Sequence, residues 1–308
     1  MSMLNVGIIG ECMVELQQRD GSLAQNYGGD TLNTAVYLSR LSKGKDMSIS
    51  YFTALGQDFF SKEMLKIWQQ EGIDTQHVQI MDNKLPGLYA IEVDETGERS
   101  FHYWRNDAAA KFWLEQASSQ LLATLSQFDV LYLSGISLAI LTEQSRAVLF
   151  DVLKQCKANG GKVVFDNNYR PRLWRDAAQA KAVYLEMLAL TDIGLLTFED
   201  EEVLFGDTEI AQCLDRSFTL GLSEVVIKRG AQECIVATKD SQISVPATHV
   251  DNVVDTTSAG DSFAAGYMSE RLLGHDATLA AKTGHALAGI VIQHKGAIID
   301  LAAMPSQV

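Results

Sequence analysis

Short apolar runs rich in β-branched residues alternate along the chain with stretches whose apolar positions recur every three or four residues, a pattern that predicts a parallel sheet covered by helices. The expected strands are Val6–Ile9, Val130–Leu133, Val163–Phe165, Ile193–Leu196 and Val225–Ile227. Between the second and third, Val148, Leu149, Val152, Leu153 and Cys156 share one helical face, and Gly160-Gly161 supplies a stop before the next strand. Cys156 is therefore expected in the core. At Leu88–Tyr103 the texture changes: Tyr89, Ile91 and Val93 alternate with smaller or polar residues, Asp94–Gly97 offers a turn, and Phe101 and Tyr103 follow. That reads as an antiparallel hairpin, which in an enzyme would make a lid; a plain edge hairpin is the alternative.

With 308 residues the chain suits one large α/β domain with a modest appendage. The 25 Lys+Arg against 39 Asp+Glu leave a net charge of −14, which repels phosphate backbones and gives no footprint for nucleic acid. An anionic ligand would need a local basic pocket. Cys12, Cys156, Cys213 and Cys234 are far apart and suggest neither a zinc knuckle nor a disulfide framework, so a reducing cytoplasm is expected. The N-terminus lacks the pattern of an export signal, and no run approaches the ~20 apolar residues of a membrane span. The six histidines show no metal-binding spacing.

The chemistry concentrates in Val253-Val254-Asp255-Thr256-Thr257-Ser258-Ala259-Gly260-Asp261-Ser262-Phe263, where a small-residue loop opens into a helix. Free backbone N–H groups and the helix dipole make such a junction an anion site. A carboxylate at Asp261 opposes phosphate there unless it has a task, such as accepting a proton from an attacking hydroxyl; helix capping is the plainer role. A second segment, Tyr27-Gly28-Gly29-Asp30-Thr31-Leu32-Asn33-Thr34-Ala35, pairs glycines that admit a ligand to the backbone with Asp30 and Asn33, which can bond hydroxyls. Alone, it reads better as a turn followed by a helix N-cap. No Walker A sequence is present, and Gly7-Ile8-Ile9-Gly10-Glu11-Cys12 is not a dinucleotide fingerprint.

Together these segments resemble the C-terminal motif and the Gly-Gly-x-x-x-Asn-x-Ala sugar segment of the ribokinase-like (PfkB) carbohydrate kinases. The resemblance implies an α/β, ribokinase-like fold: a central, mostly parallel sheet covered by helices, with a small β lid from about residues 11–17 and 86–107, in a single catalytic domain over 1–308. It makes Asp261 the catalytic base and Ser258, Ala259 and Gly260 its anion hole. Ser258 departs from the glycine common in the family. ATP and Mg2+ are the implied cofactors, with a monovalent-cation site such as one for K+ at Asp255 and Thr257.

Gly28–Tyr37, Leu85–Tyr89, Tyr103–Arg105, Phe165–Trp174 and Lys295–Ile299 further resemble the family members that act on 2-keto-3-deoxygluconate. By motif position Gly29, Asp30, Asn33, Tyr89, Tyr103, Arg105 and Arg170 then face the acceptor, the arginines offering a planar donor fork to its carboxylate. Asn168, Lys228 and Gly230 fall on the nucleotide side. Thr197-Phe198-Glu199-Asp200 stands where relatives carry a magnesium-organising Asn-x-x-Glu; the acidic run suits a solvated helix start as well, and no metal ligand is assigned. The implied partners are a sugar acid and ATP. A homo-oligomer joined through the hairpins would cover their edges. Another sugar kinase, fructokinase-like, and a nonenzymatic sugar-acid sensor are the competing readings.

Overall fold

The structure, a computed structural model, describes residues 3–19, 22–93 and 99–305. In chain order the strands are β1 (Leu4–Ile9), β2 (Met13–Arg19), β3 (Ser22–Gly28), β4 (Met47–Phe52), β5 (Ala54–Leu55), β6 (Gln79–Ile80), β7 (Gly87–Val93), β8 (Arg99–Trp104), β9 (Val130–Ser134), β10 (Lys162–Asp166), β11 (Ile193–Thr197), β12 (Glu224–Lys228), β13 (Cys234–Ala237) and β14 (Gln242–Val245). The helices are α1 (Asp30–Leu41), α2 (Phe59–Gln70), α3 (Ser119–Leu125), α4 (Gly135–Ala139), α5 (Glu143–Ala158), α6 (Ala177–Leu190), α7 (Phe198–Phe205), α8 (Ile210–Leu220), α9 (Ala259–Arg271) and α10 (Ala277–Val291).

An 8-stranded sheet in the order β14-β13-β12-β11-β10-β9-β1-β4 forms the body. Its strands from β4 to β12 run parallel, and β13 and β14 return antiparallel at one edge. Side chains alternate between the two faces of a strand, and both faces are apolar. Val6, Ile8, Tyr132, Val164 and Val226 join a core with residues of α1, α2, α9 and α10. Their neighbours Ile9, Leu133, Val163, Phe165 and Ile227 join a second core with α5, α6 and α8. Burial on both faces is why these strands read as continuous apolar runs. The five expected strands are all present, and Cys156 is fully buried on α5.

A 4-stranded sheet, β3-β2-β7-β8, stands apart from the body. The expected hairpin is its β7–β8 half, and β2 pairs with β7 in parallel; the expected turn at Asp94–Gly97 lies outside the described residues. The strand β3 was not foreseen. It is an edge strand with mostly exposed side chains, so it leaves no apolar alternation to read. Buried apolar residues of this sheet's own cluster are Met13, Tyr89 and Ile91.

Two close backbone approaches set the position of the helices that carry the motifs. A Cβ on Gly10, just past β1, would lie 1.9 Å from the hydroxyl of Thr31, which seats the first turn of α1 at the carboxyl end of the sheet. Gly266 on α9 faces Gly284 on α10, where a Cβ would stand 2.8 Å from the opposing Cα. Gly266→Ala must therefore force the two helices apart and is expected to destabilise the protein by about 1–3 kcal/mol. An unchanged urea midpoint would show that this contact can yield without loss.

Candidate active site

The carboxyl ends of β1, β10 and β12 and the first turns of α1 and α9 meet at one rim, where open α/β sheets collect ligands. Asp261 lies in the first turn of α9, and Asn33 of α1 donates from Nδ2 to its carboxylate at 2.8 Å. Thr34 bonds the Asp261 carbonyl at 3.3 Å. The Ala259 N–H donates to the Thr256 carbonyl at 3.2 Å, which leaves Gly260 and Asp261 as the first-turn amides with no intrahelical acceptor. Burial, then the nearby charge of Asp30, push the Asp261 carboxyl up to about 7, against the opposing pull of the Asn33 bond and Lys228.

Ser258 takes a left-handed conformation (φ 66°) that glycine adopts without strain, and its Oγ is buried with no partner among the described residues. Asp255 accepts from the amides of Thr257 (3.0 Å) and Gly296 (2.9 Å), fastening the motif loop to the C-terminal stretch.

Lys228, at the end of β12, forms a buried ion pair with Asp166 at 2.6 Å. A Cβ on Gly260 would stand 3.6 Å from the Lys228 Nζ, so this ammonium borders the free amides of α9. Gly230 occupies a left-handed turn (φ 57°) with open space around it. Asn168, expected beside the nucleotide, instead donates to the Asp30 carboxylate at 2.6 Å. Its own φ of 28° is also left-handed, and the preceding Asn167 side chain accepts its N–H at 2.9 Å.

The acceptor-side residues separate into two groups. Asp30 and Asn33 stand beside Asp261, and the Asn33 Oδ1 is buried without a partner among the described residues. Tyr89 and Arg105 belong to the small sheet and its exit, and each is held by a buried carboxylate: the Tyr89 hydroxyl donates to Glu15, and the Arg105 guanidinium pairs with Glu11. Tyr103 is half exposed, with its ring centroid 5.8 Å from that of Tyr89. Arg170 bonds the Tyr169 carbonyl and lies 3.6 Å from Asp200. The paired glycines meet protein, since a Cβ on Gly28 would lie 2.6 Å from the Tyr89 hydroxyl and one on Gly29 2.1 Å from the Glu11 carbonyl.

The family described as pfkB family carbohydrate kinase matches residues 3–304. The chain belongs to that family. It is 54% identical to a 2-dehydro-3-deoxygluconokinase of Dickeya dadantii, over 99% of this chain and 100% of that one. It is 50% identical to the enzyme of that name from Escherichia coli K12, over 98% and 99%. Among solved structures, a Vibrio cholerae O395 fructokinase in fructose, ADP and calcium ion bound form superposes with a TM-score of 0.83 at 27% identity, covering 98% of this chain and 96% of that one. The protein is thus a PfkB carbohydrate kinase with the ribokinase-like α/β fold.

In this PfkB kinase the stretch 197–200 opens α7, with Glu199, Asp200 and Glu201 in its first turn. Asp200 accepts from the Tyr169 amide at 3.1 Å, and burial, then Arg170 against it, leave its carboxyl pushed up to about 6. Glu201 turns inward to Asn167 (2.9 Å) and Arg216 (2.6 Å). Glu201, Asp207 and Cys213 cluster at metal-ligand spacing, yet the Arg216 guanidinium already bridges the two carboxylates. Sequence reasoning missed Asp166, Asn167, Glu201 and Glu11 as members of this network. Asp166 and Asn167 had a legible signal, their place at the carboxyl end of a strand; Glu11 and Glu201 had none.

A carboxyl whose pKa is raised on folding contributes stability below its unfolded value, and that contribution is lost as pH climbs toward the folded one. For Asp261 the window runs from 3.8 to about 7. Asp261→Asn should therefore raise Tm relative to wild type above that window and leave it nearly unchanged below. Equal Tm differences at both ends would show that the carboxylate is not strained by its surroundings.

Proposed function

We propose that the chain transfers the γ-phosphoryl group of ATP to the C6 hydroxyl of 2-keto-3-deoxygluconate, giving 2-keto-3-deoxy-6-phosphogluconate in sugar-acid catabolism. The observation that carries the reading is the Asp261 carboxylate, held by Asn33 at the first turn of α9 beside amides that lack acceptors. The names of the relatives aligned over their whole length support the acceptor.

Asp261 takes the proton of the C6 hydroxyl as its oxygen bonds to the γ-phosphorus and the bond to the β,γ-bridging oxygen breaks, releasing ADP. The Gly260 and Asp261 amides, the positive end of α9 and Lys228 meet the charge on the transferring group. Asn33 orients the base, and its unpartnered Oδ1 takes a hydroxyl of the acceptor, with Asp30 beside it. The small sheet acts as a lid whose Tyr89, Tyr103 and Arg105 grip the carboxylate end, with Arg170 also on the acceptor side and Asn168 on the nucleotide side.

Magnesium would arrive with the nucleotide and, when bound, neutralise phosphate charge; Asp166 already pairs with Lys228 at 2.6 Å and Asp200 accepts from the Tyr169 amide, so no protein ligand is named for it. Asp255 and Thr257 would hold a monovalent cation such as K+. Four free, buried cysteines accord with a reducing cytoplasm.

Purified protein should release ADP with 2-keto-3-deoxygluconate and far less with gluconate, fructose or ribose, and Asp261→Asn should cut kcat by about 10²–10⁴-fold. Fructose as the preferred acceptor would keep the kinase and make it fructokinase-like; no turnover with any acceptor would favour a sensor. The open edges β3 and β8 and the exposed Trp104 suit pairing of two copies through their lids. Light scattering should return a dimer, and a monomer at micromolar concentration removes that arrangement.

A further inference from the structure

Glu11 lies two residues beyond β1, at the crossing from the body to the small sheet, and Arg105 is the first residue after β8, where the chain returns. Both are buried: the Glu11 side chain is 2% exposed and that of Arg105 10%. Their ion pair closes that junction. Two glycines make room for it, since a Cβ on Gly87 would stand 2.7 Å from the Glu11 carboxylate and 3.2 Å from the Arg105 Cβ, while Gly29 is pressed against the Glu11 carbonyl.

Stability alone does not account for the arrangement. Desolvating two charges roughly cancels their attraction, and an apolar pair of similar volume often serves as well. Here the arrangement is less favourable still, because the Arg105 Nε is buried with no acceptor among the described residues. Burial also works against Glu11 itself, raising its carboxyl above the usual range despite Arg105. One amino group of the guanidinium is thus held by Glu11, and its Nε–H is a donor that the folded chain leaves unmet. A carboxylate from outside would satisfy it; a neutral sugar would offer weaker acceptors and gain less.

We infer that Glu11 is a positioning residue that sets acceptor choice, holding the Arg105 fork so that its unmet donor receives the carboxylate of the sugar acid. This rests on the reading of Arg105 as the acceptor's partner given above. Glu11 touches no reacting atom. It acts through Arg105, so its effect belongs in the binding of one substrate and not in the phosphoryl-transfer step.

The experiment is a double-mutant cycle with Glu11→Gln, Arg105→Ala and the combination, reading kcat and KM for 2-keto-3-deoxygluconate and for ATP. Glu11→Gln should raise KM for the sugar acid by about tenfold or more, with kcat and the KM for ATP within about threefold of wild type. In the Arg105→Ala background it should add nothing further. Glu11→Asp keeps the charge but withdraws it by one methylene, and the same rise is expected; it carries the test if Glu11→Gln does not fold. An unmoved KM for the sugar acid, a parallel rise in KM for ATP, or effects that multiply in the double variant would overturn the inference. Wild type that fails on the sugar acid overturns the functional reading beneath it and this inference with it; wild type active with Glu11→Gln unchanged overturns the inference alone.

Discussion

A single side-chain hydrogen bond, from Asn33 to Asp261, joins residues 228 positions apart and fixes the first turn of α1 against the first turn of α9. Everything at the rim is placed relative to it. Thr34 repeats the tie one residue on, and the remainder of α1 is anchored by Tyr37, which donates to the Ala297 carbonyl at 2.8 Å and accepts from the Ile299 amide at 3.1 Å. The C-terminal stretch thereby braces the helix that holds the Asp261 carboxylate, and through Asp255 and Gly296 it braces the motif loop as well. An Asn amide suits the post because it can donate to a carboxylate with one end while its oxygen remains an acceptor for a hydroxyl.

The second constraint is electrostatic. Asp30, Asp166, Asp200 and Asp261 converge at one rim of the sheet in a chain of net charge −14. Burial raises the carboxyls of Asp166, Asp200 and Asp261, which is the state in which nearby cations are most effective. Lys228 answers Asp166 and borders the free amides of α9, so one ammonium serves both the acidic cluster and the anion site. A carboxylate at Asp261 and the free amides beside it can share one helical turn because the helix end supplies partial positive charge without a counterion.

The small sheet adds a different kind of contact. Besides its own cluster of Met13, Tyr89 and Ile91, it sends Val14, with Leu16, Tyr27 and Leu88, against the core of the body. Directional contacts add to that burial at its base, where Glu11 meets Arg105 and Glu15 meets Tyr89. Placing acids behind Tyr89 and Arg105 fixes the direction of those side chains more narrowly than apolar packing would, at the expense of burying charge.

How much of this was legible follows from the range over which each feature is encoded. The body strands could be read because parallel strands buried on both faces must be apolar throughout, and the α9 motif because an anion site at a helix start needs small residues and a carboxylate in adjacent positions. The hairpin of β7 and β8 showed in the alternation at Tyr89, Ile91 and Val93, whereas the exposed edge strand Ser22–Gly28 carried no such pattern. The sequence alone thus determined the fold class, the helix junction and the candidate base. Only the tertiary structure decided that Gly29 is small because of the Glu11 carbonyl, that Asn168 serves Asp30, that Arg170 turns to Asp200, and that Glu11 stands behind Arg105. Those are contacts between segments distant along the chain, and local spacing carries no information about which buried charge will find which partner.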